Sequence, residues 1–134
     1  MTDFDAINPV GWAKGAGFSH GISTPAGRIV VTAGQIGWNP ITCHIDTDDF
    51  AAQTAHALRN VVTVLSAAAA TPAHVVRLTW YITDRDAYLN ARKEIGEAYR
   101  EIMGRHYPAM SVVVVRSLLE ARAKVEIEAT AIVP

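Results

Sequence analysis

A chain of 134 residues, half of them hydrophobic, can bury a substantial core, and its length suits a single domain over 1–134. Twelve basic residues against thirteen acidic ones leave a formal charge of -1, which argues against a nucleic-acid surface with its usual basic stripe. The lone cysteine, Cys43, excludes an internal disulfide and fits a reducing cytoplasm. The opening Met1-Thr2-Asp3-Phe4-Asp5 lacks a signal-peptide pattern, and no apolar run is long enough to span a bilayer.

In chain order, His20 to Thr24 is a short strand, Pro25-Ala26-Gly27 a turn and Arg28 to Thr32 a β-branched strand, which together predict a hairpin. Ala33-Gly34-Gln35-Ile36-Gly37 follows, its two glycines pointing to a bulge or a close backbone approach. Trp38 to Asp49 is a polar loop. From an Asp48 or Asp49 cap, Phe50, Thr54, Ala57, Leu58, Val61, Val62 and Leu65 recur at helical spacing, and Thr71-Pro72 stops the helix after about Ala69. Val75 to Thr83 is a strand with Val75, Leu78, Trp80 and Ile82 inward. A second helix capped by Asp84 or Asp86 carries Tyr88, Ala91, Ile95, Ala98, Tyr99, Ile102 and Met103 and ends at Gly104. Strands Met110 to Val115 and Lys124 to Val133 complete a β-β-α-β-α-β-β order. This is an α+β layer, with two helices on one face of a mixed sheet. A single helical layer leaves the other face bare, and Val112 to Val115 is wholly apolar. Self-association of sheets in a closed ring is therefore expected.

Strand alternation places Glu126 and Glu128 on one face of the last strand and Val125, Ile127 and Ala129 on the other. A carboxylate carried into an apolar sheet is costly unless it is paired or has a task, so Glu126 is the leading functional candidate. No histidine or cysteine spacing suggests a metal, and neither G-x-x-x-x-G-K-[ST] nor G-x-G-x-x-G occurs.

Five segments carry a family resemblance: Gly17-Phe18-Ser19-His20-Gly21, Ala33-Gly34-Gln35-Ile36-Gly37, Gln53-Thr54 with Ala57-Leu58-Arg59-Asn60-Val61, Pro108-Ala109-Met110-Ser111, and Val125-Glu126-Ile127-Glu128-Ala129. In this order they resemble the RidA/YjgF/UK114 family. The resemblance implies a chorismate-mutase-like fold and a homotrimer around a central barrel, with a small-molecule cleft at each subunit interface and no cofactor. It also implies hydrolysis of reactive enamines and imines, such as 2-aminoacrylate or 2-aminomuconate, to a keto acid and ammonia.

By the same resemblance Glu126 is the acid/base, and Phe18, Ser19, Gly34, Gln35, Ile36, Trp38, Met110 and Ser111 contact substrate. On the residues alone, Glu126 can equally be half of an ion pair across a subunit interface. Gln35 and Ser111 can satisfy backbone, and Trp38 can simply cover a loop. Three positions depart from the family's deaminases. Met110 stands where an arginine grips the substrate carboxylate, Phe18 where many members have tyrosine, and Arg92 where many have asparagine. A thioether cannot hold a carboxylate, so a replacement anion handle must come from elsewhere, with Arg85, Arg92, Arg105 and Arg116 open. Loss of that arginine also leaves open a non-catalytic trimer that binds metabolites or proteins. An RNA-directed role has no basic, aromatic-lined strip to support it.

Overall fold

The computed structural model describes residues 4–134. The first three residues of the opening segment lie outside the described residues.

A mixed sheet takes the order β3 (Arg28–Val31), β7 (Val125–Val133), β5 (Val75–Ile82), β6 (Ala109–Val114), with the short β4 (Gln35–Ile36) also paired to β7. β7 runs antiparallel to β3, β4 and β5, whereas β5 and β6 are parallel. Parallel neighbours need a crossover, and the helical segment between β5 and β6 supplies it. Helix α1 (Phe50–Ala67) starts at Asp49, whose side chain accepts from the Ala52 N–H, and buries Phe50, Thr54, Ala57, Leu58, Val61 and Leu65, as their spacing predicts. These residues meet Val75, Leu78, Trp80, Ile82, Val125, Ile127, Ala129 and Ala131 in one core. All the sheet residues in that cluster point to the same face, so the helices form one layer and the sheet the other.

Three expectations change. The hairpin does not form. β2 (Gly21–Ser23) pairs instead with β1 (Asp5–Ile7) in a separate two-stranded ribbon, and β3 pairs with β7. A nine-residue strand already packed into the core offers β3 a better partner than a three-residue segment, and Val30 then packs against the core. Gly27 fits flush against the end of β7, where a Cβ would lie 2.5 Å from the Val133 carbonyl oxygen. The predicted second helix is two: α2 (Arg85–Asn90), capped by Asp84, and α3 (Arg92–Met103). The break falls at Ala91 (φ -101°, ψ 10°), which carries no proline or glycine to announce it. With β1 and β4 added, the chain has four strands before α1 rather than two.

The third change concerns the carboxylates. Glu126 and Glu128 do share a face, but it is the one away from the helices, and both are half-buried. The same face exposes Val113, Ile29 and Val31, the last two each at 67%. Large β-branched residues on a helix-free sheet face are what the expectation of self-association rests on.

Candidate functional site

The predicted site residues fall into two groups on opposite faces of the sheet. The first surrounds Met110. In register with Leu78 across the parallel β5–β6 pair, Met110 points to the helix side, and Val112 does so beside Trp80. The loop of residues 14–19 closes over them. It is stitched to the start of β6 by the Ser19 N–H, which donates to the Pro108 carbonyl at 3.2 Å, and by the Ser19 hydroxyl, which donates to the Tyr107 carbonyl at 2.7 Å. The Ser19 hydroxyl proton is thus committed to holding the loop. Phe18 lies at the rim, its ring edge-on to His20. Between loop, sheet and α3 is a cavity of about 770 Å³ that also takes in Lys14, Tyr88, Arg92 and Arg100. That volume lies within the ordinary range for small-molecule sites.

Of the four arginines left open as anion handles, Arg92 alone lines this cavity. Arg100 and Lys14 had no sequence signal. Arg100 falls on the cavity side because it lies one turn beyond Gly96 on the α3 face that carries Arg92. Burial pushes the Tyr88 hydroxyl up, and the nearby Arg92 guanidinium opposes the shift. His106 is occupied elsewhere, with Nε2 2.6 Å from the Val75 carbonyl oxygen and its ring against Phe4. Ser111, next to Met110, faces the other side in register with Thr79.

The second group surrounds Glu126. β4 pairs Ile36 with Glu126 and Gln35 with Ile127, which draws the 33–37 turn over β7. Asn60 on α1 fixes that turn by donating to the Ile36 and Trp38 carbonyls, both at 3.0 Å. Ile36 is buried with Ile45 and Ala123, and Trp38 packs on that small cluster. Gln35 reaches only the Ala33 carbonyl, at 3.3 Å. Gly34 sits against the carboxylate itself: a Cβ there would be 2.6 Å from both Cδ and Oε2 of Glu126. Of the two readings of this glycine pair, close approach is the one realised, because Gly37 likewise abuts the Gln53 backbone and neither needs a positive φ.

Glu128 is committed to Tyr81, whose hydroxyl donates to it at 2.7 Å. That bond holds the phenol proton on and raises the Tyr81 pKa. Glu126 takes part in neither salt bridge found among the described residues and is the carboxylate left available. Among the described residues no group of His, Cys, Asp or Glu is placed to hold a metal ion, and no helix is long and apolar enough to cross a membrane.

The contact at Gly34 yields a specific expectation. In Gly34→Ala the new methyl collides with the movable end of Glu126 rather than with backbone, so the carboxylate shifts while the fold stays. The unfolding midpoint should stay nearly unchanged, which a urea melt beside wild type checks.

A strand-borne carboxylate under a glycine turn, on a two-layer α+β scaffold with a cavity beneath its helices, defines a class that sequence comparison identifies. Residues 12–133 match the family described as Endoribonuclease L-PSP. The 2-iminobutanoate/2-iminopropanoate deaminase of Escherichia coli is 33% identical over 109 residues, covering 79% of this chain and 80% of that protein. Protein DfrA of Myxococcus xanthus is 31% identical over 119 residues, covering 86% and 84%. Among solved structures, the Rid-family protein YyfB from Yersinia pestis superposes with a TM-score of 0.86 at 34% identity, covering 98% of this chain and 99% of that one. E. coli TdcF with bound serine gives 0.69 at 32% identity, covering 96% and 91%. The chain belongs to the RidA/YjgF/UK114 family.

Proposed function

We propose that this chain is an imine/enamine deaminase acting as a cytoplasmic, cofactor-free homotrimer, with each cleft built from two chains. The observation that carries this reading is the split site. Met110 and Glu126 lie on opposite faces of one sheet, so a single chain cannot present both to one small molecule. In a closed head-to-tail ring, each chain can turn its exposed Ile29–Val31–Val113 face, which also carries Glu126, toward the cavity side of the next. One group then supplies the binding walls, and the other the carboxylate and the Gly34 turn.

The chemistry is hydrolysis. Glu126 accepts a proton from a water molecule as its oxygen bonds to the imine carbon. The imine reacts as its N-protonated form, so the carbinolamine carries a neutral amine; its nitrogen takes that proton, and as the C–N bond breaks and ammonia leaves, Glu126 accepts the hydroxyl proton and the carbonyl of a 2-keto acid forms. One carboxylate can make these transfers in sequence. A family relative named for 2-iminobutanoate and 2-iminopropanoate deamination supports this reaction class. The formal charge of -1 gives no support to an RNA substrate, despite the family's ribonuclease description.

The test is release of ammonia and keto acid from enzymatically generated imines: small aliphatic, aromatic and 2-aminomuconate. Wild type should turn over at least one larger imine and handle 2-aminoacrylate poorly. Met110→Arg should raise 2-aminoacrylate hydrolysis about 10- to 100-fold, the scale of a charged hydrogen bond regained. No turnover of any imine by wild type, with activity appearing only in Met110→Arg, would instead support a trimer that binds small molecules without transforming them.

A further inference from the structure

A second cavity, of about 370 Å³, opens at the end of the sheet where β5 runs out and β7 begins. It shares no lining residue with the Met110 cavity. Arg116, Arg122 and Lys124 line it together with the hydroxyl-bearing Thr83 and Ser117, and Asp48 is its one acid. Three cations against one carboxylate leave a local positive excess in a chain whose formal charge is -1. Glu120, in the same loop, is not part of the lining.

The excess is not neutralised within the chain. Asp48 is taken by Arg122, whose Nη2 lies 3.0 Å from its carboxylate. Lys124 Nζ donates to the Asp48 backbone carbonyl at 2.6 Å, so a neutral acceptor fixes it in place and its charge stays intact. Arg116 belongs to neither salt bridge among the described residues. The start of α1 adds to the positive potential. Gln53, in its first turn, bonds to the Arg122 carbonyl and the Lys124 N–H, which sets the positive end of an 18-residue helix beside this segment.

We propose that this cavity binds a phosphate group, either free or carried by a small phosphorylated metabolite. Lys124 and Arg116 supply the charge, and the Thr83 and Ser117 hydroxyls are the neutral donors beside them. A phosphate brings nearly two negative charges and three acceptor oxygens, enough to engage both cations and a hydroxyl at once. A monocarboxylate brings one charge and two oxygens. No aromatic residue lines the cavity, so a nucleobase would find no ring to stack on. The volume is near the lower end for small-molecule sites, which suits a phosphate on a short carbon skeleton. The assignment does not depend on the deaminase reading.

Titration calorimetry on the intact protein, at low and constant ionic strength, would use inorganic phosphate, glycerol 3-phosphate and acetate. Phosphate should bind with a Kd of about 1 mM or below, at least about tenfold more tightly than acetate. Arg116→Gln should weaken phosphate about 10- to 100-fold, the scale of a lost charged hydrogen bond. Because Arg116 is exposed and outside both salt bridges, that variant should fold normally. Arg92→Gln, which removes a cation from the Met110 cavity instead, should leave phosphate affinity within a few-fold. Glycerol 3-phosphate binding at least as tightly as phosphate would identify the ligand as a phosphorylated metabolite, and its exclusion would identify free phosphate. Unchanged phosphate affinity in Arg116→Gln, or no phosphate binding below about 10 mM, overturns the assignment. A loss confined to Arg92→Gln overturns it as well, because it places the anion in the Met110 cavity.

Discussion

Glu126→Gln should lower kcat for imine hydrolysis by at least about 100-fold, the lower end of what a positioned acid/base contributes, while substrate binding and stability change little. The amide keeps the shape that fits against Gly34 but cannot take the water proton. The residue is half-buried on the face away from the main core, so no packing is lost. Glu128→Gln provides the control. It disturbs only the bond from Tyr81, whose phenol loses the charged acceptor that raises its pKa, and it should retain activity within a few-fold. Full activity in Glu126→Gln on a confirmed substrate would remove Glu126 from the chemistry and leave it as an interface carboxylate.

The largest effect on stability is expected at Gln53, which is fully buried on α1. Its Nε2 donates to the Thr47 carbonyl at 2.9 Å and to the Arg122 carbonyl at 3.1 Å, and its Oε1 accepts from the Lys124 N–H at 2.9 Å. One side chain therefore ties the start of α1 to the segment leading into β7. The Arg122–Asp48 pair at 3.0 Å lies alongside, and its guanidinium holds the Asp48 carboxyl below the usual carboxylate range. That pair is exposed and adds little.

Gln53→Ala leaves three backbone groups without their partner and opens a void. A loss of about 3 kcal/mol is expected, since each unsatisfied buried group costs roughly 1–3 and some regain water. Urea unfolding at fixed protein concentration should show a lower midpoint with an unchanged slope. A loss below about 1 kcal/mol would mean that water enters and replaces the amide. The sequence places Gln53 in a recurring motif but not on the apolar stripe. Its burial follows from the arrival of residues 122–124 beside the helix, which no local pattern announces.

Periodicity and capping chemistry gave the elements. The α1 stripe, the Asp49 and Asp84 caps, the Gly104 stop (φ 73°) and the alternation along β7 all stand as the residue spacing implies. Each is a short-range property, set by side-chain geometry within one or two turns or pleats. The family, too, was legible in five motifs. Partner choice was not. β2 and β3 have the pattern of a hairpin, yet β7 outcompetes β2 for β3 because it brings a buried, longer edge, and that depends on residues about 100 positions away.

The site divides in the same way. Sequence by itself put Glu126 and Glu128 on one face and Met110 in the binding region. Only the tertiary structure decided that Tyr81 occupies Glu128, that Gly34 presses on Glu126, and that Arg92 and Arg100 flank the cavity above Met110. It also decided that the two halves of the site face opposite ways, because register across three strands sets which side chains meet, and that register is not encoded by the periodicity of any one segment.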